Sequence, residues 1–193
     1  NYHALAIDSL GYLWAWGDND YGQLGDGTRV DRDSPVQILP SQKFKTIEVG
    51  RDHSFAIDEE GHLFSWGRNN SSQLGLKSKI WGSLVPLPVL DTMRFNSVSV
   101  SDELTLAIDV AGNLWSWGPV YNNSKDIIET KDPYIVLPGT KFKLISAGER
   151  HCIAIDESDR VWAWGQNKSG QLGTGDAFSE HFIKLNDVHF VPV

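Results

Sequence analysis

"LWAWG" at residues 13–17 returns as "LFSWG" at 63–67, "LWSWG" at 114–118 and "VWAWG" at 161–165. The Trp-Gly pairs begin at Trp16, Trp66, Trp117 and Trp164, at intervals of 50, 51 and 47 residues. A period of that length marks stacked structural units and must be read before any single motif. The in-phase match is wider than the pair. "HALAIDSLGYLWAWG", "HSFAIDEEGHLFSWG", "LTLAIDVAGNLWSWG" and "HCIAIDESDRVWAWG" share an identical Ala-Ile-Asp that ends at Asp8, Asp58, Asp109 and Asp156.

Each such stretch reads as two short β-runs joined by a turn, with Gly61 in the turn of the second unit. In the fourth unit Asp159 stands there instead, a residue type that tolerates a left-handed backbone. Upstream lie "FKTIEVG" (44–50), "FNSVSVS" (95–101) and "FKLISAG" (142–148), and downstream the proline-led "PVQIL" (35–39), "PLPVL" (86–90) and "PYIVL" (133–137). Four short strands per unit of about fifty residues, with no helical period, predict an all-β chain built of four-stranded β-propeller blades, one domain over residues 1–193. In "LWAWG" the tryptophans share one face, and Leu13, Ala15 and Gly17 share the other. A strand facing solvent alternates apolar with polar. These are apolar on both faces, so the bulky face of one blade is expected to meet the small face of its neighbour.

The totals bound the function. Seven of the eight tryptophans lie in the repeated motif, and the formal net charge of −8 argues against a protein that grips nucleic acid by neutralising phosphates. The single cysteine, Cys152, excludes an internal disulfide and a cysteine zinc cluster, and favours a reducing intracellular compartment, cytoplasmic or nuclear. No apolar run approaches the 18 residues a membrane helix needs, so no membrane insertion is expected.

These motifs resemble the RCC1-like repeat family. The second unit carries most of its pattern, with Gly50, His53, Asp58, Gly61, Trp66, Gly67 and "SQLG" at 72–75, and "GQLG" recurs at 22–25 and 170–173. The third unit departs: Ser101 and Leu104 stand where the others have Gly and His, and "PVYNNSKDIIETK" (119–131) replaces the G-Q-L-G turn. The resemblance implies a propeller that commonly has seven blades, so four repeats are expected to be part of a larger ring. The frame opens in a second strand and closes with "HFVPV" (189–193), which resembles a first strand able to complete the first blade. An incomplete ring would expose strand edges and apolar faces and is expected to self-associate.

Candidate chemistry is weighed against this frame. His3, His53 and His151 occupy one position in three units, and the four aspartates of Ala-Ile-Asp sit where a strand enters its hairpin. Repetition gives both sets a structural role in packing or turn bonding. His62, His181 and His189 share no spacing and read as surface residues. No Gly-Lys-Ser/Thr follows the glycine-rich turns and no G-x-S-x-G occurs, so no catalytic residue, metal or cofactor is expected. Glycosylation sequons at Asn69, Asn70, Asn122 and Asn167 fall mostly in turns after Trp-Gly.

The variable loops carry the functional expectation. The turns "GRDH", "SDEL" and "GERH" present Asp52, Asp102, Glu103 and Glu149, and Trp81 lies outside the repeat between Lys77 and Lys79 on one side and Gly82 on the other. Exposed tryptophan beside cations suits a protein-binding anchor. The expected function is a non-catalytic protein–protein interaction scaffold. Alternatively, the resemblance implies a guanine nucleotide exchange factor for a Ran-like small GTPase, with the four loop carboxylates displacing the nucleotide. Chromatin binding within the family relies on basic loops and a basic tail, and its photoreceptor branch on G-W-R-H-T; this sequence is acidic, contains no Lys/Arg run and lacks that motif, so both roles are disfavoured.

Overall fold

The computed structural model describes residues 2–76, 80–121, 127–175 and 183–185. Lys77, Lys79, Asn122, His181, His189 and "HFVPV" lie outside the described residues, as do 123–126 of the third unit's loop. The described chain forms fifteen strands in four antiparallel sheets, one per repeat, and no helix. The first sheet has three strands, β1 (His3–Ile7), β2 (Leu13–Gly17) and β3 (Arg32–Ile38). The second runs β4 (Phe44–Val49), β5 (His53–Asp58), β6 (Leu63–Arg68), β7 (Gly82–Val89), and the third β8 (Phe95–Val100), β9 (Thr105–Asp109), β10 (Leu114–Tyr121), β11 (Ile127–Val136). The fourth comprises β12 (Phe142–Ala147), β13 (His151–Asp156), β14 (Val161–Gly165) and β15 (Ile183–Leu185). Strands pair in sequence order, the meander expected of propeller blades, and the first strands β4, β8 and β12 pack successively against one another. That places the first strands on the inner side of the arc.

The glycine of each Trp-Gly pair has a mechanical reason. Register slips between Ala15 and Gly17, Ser65 and Gly67, and Ser116 and Gly118, a bulge that ends the inner pairing and releases the chain into its outer loop. At Gly67 φ is +94°, and a Cβ would lie 2.6 Å from the Asp52 carbonyl oxygen, so no other residue fits without a shift.

The core sits between sheets, as the two apolar faces require. One cluster joins Leu13 and Ala15 of the first sheet to Phe44, Ala56 and Trp66 of the second; another joins Phe55, Ile57 and Leu63 to Phe95, Ala107 and Trp117. A third joins Leu106, Ile108 and Leu114 to Phe142, Ala154 and Trp164. Each seam thus sets a tryptophan face against a small face.

Two seams are also locked by hydrogen bonds. The Trp66 indole N–H donates to the backbone oxygen of Gln23 at 2.8 Å, and the Ser54 hydroxyl donates to the same oxygen at 2.8 Å. One repeat later Trp117 and Thr105 donate to the Gln73 oxygen at 2.8 and 2.9 Å. The last glycine of each G-Q-L-G-type turn lies against that indole: a Cβ at Gly25 or Gly75 would approach it to 2.8 Å. The two repeated motifs are therefore the two sides of one contact, contributed by successive repeats.

Candidate functional site

The repeated aspartates are hairpin clamps. Asp8 Oδ1 accepts the N–H groups of Leu10 and Tyr12, both at 2.9 Å, while Oδ2 accepts the Trp14 indole N–H at 2.9 Å. Asp109 and Asp156 repeat this, with Trp115 and Trp162 as the indole donors. In the second unit Phe64 has no such donor. There Asp58 Oδ2 receives His62 Nδ1 and Gln42 Nε2, both at 2.8 Å. His62, read from sequence as a surface residue, is this substitute partner. Hydrogen bonds, first that of Trp14, hold the Asp8 carboxyl below its usual pKa. For Asp58, Asp109 and Asp156 burial alone acts upward, but their hydrogen bonds outweigh it and each ends lowered. These carboxylates are engaged in shaping their own hairpin turns.

The histidines are packing elements. His53 is fully buried, edge-on to Phe55 at 5.8 Å, and its ring covers Gly50, where a Cβ would sit 2.1 Å from Cε1. Burial pushes its pKa down to about 3, so it is neutral in the fold. His3, within 2.9 Å of the Ser54 hydroxyl, is pushed by burial to about 4. His151 covers Gly148 in the same way. In the third unit the Ser101 hydroxyl instead accepts the Leu104 N–H at 3.1 Å, so the Gly/His pair is replaced by a Ser/Leu pair that keeps the turn.

The four loop carboxylates come together. The turns 50–53, 101–104 and 148–151 each follow an inner strand, and because those strands adjoin, the turns converge at one end of the arc. Asp52, Asp102, Glu103 and Glu149 line a single depression of about 210 Å³. Sequence reasoning missed its other lining: Arg51, Arg68, Arg150 and Gln73. Arg68 pairs with Asp52 at 3.0 Å and stacks over the Tyr21 ring, 5.0 Å from its centroid. Glu103 accepts the Ser71 hydroxyl at 3.0 Å, and Glu149 lies 3.7 Å from Arg150. Asp102 is exposed and has no hydrogen-bond or ion-pair partner among the described residues. The surface is one of mixed charge.

Trp81 opens onto the same end, because the loop between β6 and β7 starts and finishes there. Its backbone is pinned, with its carbonyl accepting the Asn69 N–H at 2.9 Å, while its side chain leaves it 85 % exposed. The pinning residue belongs to a repeated set, two members of which, Asn69 and Asn167, the sequence reading took only as sequons. Asn19, Asn69 and Asn167 are buried, and their Oδ1 atoms accept the N–H of Leu24, Leu74 and Leu172, which shapes each G-Q-L-G-type turn. The signal was their common position three residues after the tryptophan of Trp-Gly. Cys152 is buried and burial raises its thiol pKa, which leaves it unreactive. Among the described residues the carboxylate oxygens of Asp18, Asp20 and Asp31 lie within 4.8 Å of one another, but Asp31 already accepts Asn19 N–H and Asp18 accepts Asp20 N–H. That arrangement is accounted for as loop bonding.

Four meander sheets set side by side with locked tryptophan seams define a β-propeller architecture. The sequence profile of the Regulator of chromosome condensation (RCC1) repeat matches residues 11–57, 60–108 and 158–193, and a second RCC1 repeat profile matches 44–73 and 142–171. The chain belongs to the RCC1 repeat family. Residues 109–141, which include the departing segment 119–131, fall outside both matches. The chain is 30 % identical to the ultraviolet-B receptor UVR8 of Arabidopsis thaliana over 137 residues, 69 % of this chain and 31 % of that protein. It is 30 % identical to the protein RCC2 homolog of Xenopus laevis over 119 residues, 60 % of this chain and 23 % of that one. The fold superimposes on human WBSCR16 with a TM-score of 0.80 at 20 % identity, covering 95 % of this chain and 50 % of that one. On Prp20p of Saccharomyces cerevisiae the TM-score is 0.79 at 21 % identity, with 97 % and 49 % covered. The chain thus spans about half the length of these solved relatives and a third or less of the curated ones.

Proposed function

We propose that this chain is a non-catalytic protein-interaction scaffold that engages its partner on the loop face holding Asp52, Asp102, Glu103, Glu149 and Trp81. The observation that supports this is convergence: four carboxylates from equivalent turns of three blades border one depression, and Trp81 stands exposed on the same end. Asp102 supplies charge for a basic partner segment, and Trp81 supplies the apolar anchor typical of binding hot spots. Binding of a purified partner by calorimetry tests the reading. Asp102→Lys and Trp81→Ala should each weaken it about tenfold or more, and a partner that binds both variants as tightly as the parent refutes the assignment.

A second reading is guanine nucleotide exchange on a Ran-like small GTPase. It is favoured by the same four carboxylates, and by the likeness to Prp20p, studied for its binding properties to Gsp1p and histones. Stopped-flow release of labelled GDP from a panel of small GTPases separates the two. Acceleration abolished by Asp52→Ala or Glu149→Ala supports exchange; no acceleration across the panel removes it.

A further inference from the structure

The second unit breaks the repeat at its hairpin, at the opposite end of β5 from the acidic turns. Where the other hairpins set Trp14, Trp115 and Trp162 on their aspartates, Phe64 offers a smaller ring with no N–H. His62 and Gln42 take over the bonding to Asp58, and a depression of about 560 Å³ opens beside them, bordered also by Phe64, Pro88, Glu59 and Glu60. Its apolar side is braced. Phe64 is half-buried and edge-on to the buried Phe44 at 5.9 Å, and Pro88, its register partner on β7, is exposed.

The polar side holds acceptors. Hydrogen bonds that outweigh burial keep the Asp58 carboxyl below its usual pKa and ionised at neutral pH, so His62 Nδ1 is the donor in their 2.8 Å contact. That leaves Nε2 of the neutral ring as an acceptor, with no hydrogen-bond partner among the described residues. Glu60 is exposed and lies 3.7 Å from His62 Nδ1, and Glu59 has no ion-pair partner among the described residues. Lys43, which also borders the depression, is directed over the Tyr12 ring, 5.9 Å from its centroid.

We propose that this depression docks a segment of another protein that carries an aromatic ring beside a lysine or arginine. A ring fits because three sister hairpins place an indole at this position, and Phe64 and Pro88 give it an apolar seat. A cation fits because Glu59, Glu60 and His62 Nε2 all accept donors and the two carboxylates set the charge. The seat lies at the far end of the strands from Asp102 and Trp81, so it is a second contact surface, separate from the loop face.

NMR titration of the isotope-labelled 193-residue chain tests this, with a short peptide containing Lys-Trp-Lys as the probe. Amides of residues 58–64 should shift saturably, and those of Arg51, Asp102 and Glu149 should not. Peptides with Lys-Ala-Lys or Glu-Trp-Glu should bind roughly tenfold more weakly or worse. Phe64→Trp restores the residue of the sister hairpins and fills the seat, and should weaken binding about tenfold or more. His62→Asn copies the third unit, where Asn113 Nδ2 donates to Asp109 at 2.8 Å, so it keeps the clamp and removes the Nε2 acceptor. It and Glu60→Lys should each weaken binding roughly three- to tenfold. Thermal midpoints should stay within a few degrees of the parent, because these side chains are exposed or borrowed from sister units. Trp81→Ala, which tests the loop face, should leave this binding unchanged. The absence of saturable shifts, shifts centred on the loop face, or equal affinity for Lys-Ala-Lys overturns the proposal. So does binding that none of the three hairpin variants changes, or tryptamine binding as tightly as the peptide, which would assign the depression to a free amine.

Discussion

Gly50 and His53 in the second unit correspond to Ser101 and Leu104 in the third, and the two pairs build one turn by different means. In the second, the glycine has no side chain because an imidazole occupies its space; in the third, a hydroxyl fills that space and bonds the turn's own N–H. The turn's main chain is unchanged, with Gly50 N–H to His53 oxygen and Ser101 N–H to Leu104 oxygen both at 2.9 Å. The two units also treat their neighbours differently. Toward its predecessor the third sheet keeps the full lock of Trp117 and Thr105 on Gln73. Toward its successor the G-Q-L-G turn is gone, β10 and β11 are lengthened to 8 and 10 residues, and a bond from Ala147 N–H to the Ser99 hydroxyl at 3.1 Å crosses to the fourth sheet. A repeat can therefore be rebuilt one half at a time, provided each half matches the sheet it faces.

The largest test of that comparison is at the seams. Trp117→Ala should cost about 3–5 kcal/mol in denaturant unfolding, because a fully buried indole and its hydrogen bond are lost together. Trp16→Ala should cost clearly less, since Trp16 is half-buried; equal losses would show the two positions to be energetically alike. Next, Gly50→Ser should cost about 1–3 kcal/mol by overpacking His53. Adding His53→Leu recreates the third unit's pair and should recover most of it. A double-mutant cycle measures the coupling, expected at about 0.5–3 kcal/mol, and strict additivity would break the claim that the pairs are interchangeable.

The same histidine sets a pH dependence. His3 and His53 have folded-state pKa values of about 4 and about 3, below the ordinary 6.5. The unfolded chain thus binds protons that the fold refuses, and stability is complete above about pH 6.5 and falls as pH drops toward 4. The slope should approach about 1.4 kcal/mol per pH unit for each histidine. The lowered carboxyls of Asp58, Asp109 and Asp156 act in the same direction and add their loss below about pH 4. The Gly50→Ser/His53→Leu variant should remove one proton from the uptake between pH 4 and 6.5, read from midpoints across a pH series. The smallest effect belongs to the exposed loop face: Trp81→Ala and Asp102→Ala should each move stability by no more than about 0.5 kcal/mol. A larger loss for Trp81→Ala would make it a packing residue.

The blades were legible because Trp-Gly, Ala-Ile-Asp and the proline-led runs recur in phase, and Asp159 takes the left-handed turn position with φ at 62°, as its residue type suggests. Partnerships were not legible. That Trp66 bonds Gln23 across 43 residues depends on which motif of one repeat faces which motif of the next, and a periodic pattern leaves that offset open. The acidic turns could be listed from sequence, but Arg68 reaches Asp52 from another strand, so the depression's mixed charge emerged only in three dimensions. Asn69 and Asn167 were hidden by a competing motif, their sequons, although the same offset at Asn19 lacks one.

The acceptor at each locked seam is a main-chain oxygen. The Gln23 and Gln73 side chains are occupied elsewhere, with their Oε1 atoms taking the N–H of Tyr21 and Ser71 within their own turns. Mutational drift at the glutamine is therefore filtered by how well the turn holds its path, and adhesion between blades is inherited indirectly through that path. Two repeats can diverge at the glutamine and still recognise each other, as long as the peptide plane keeps its heading.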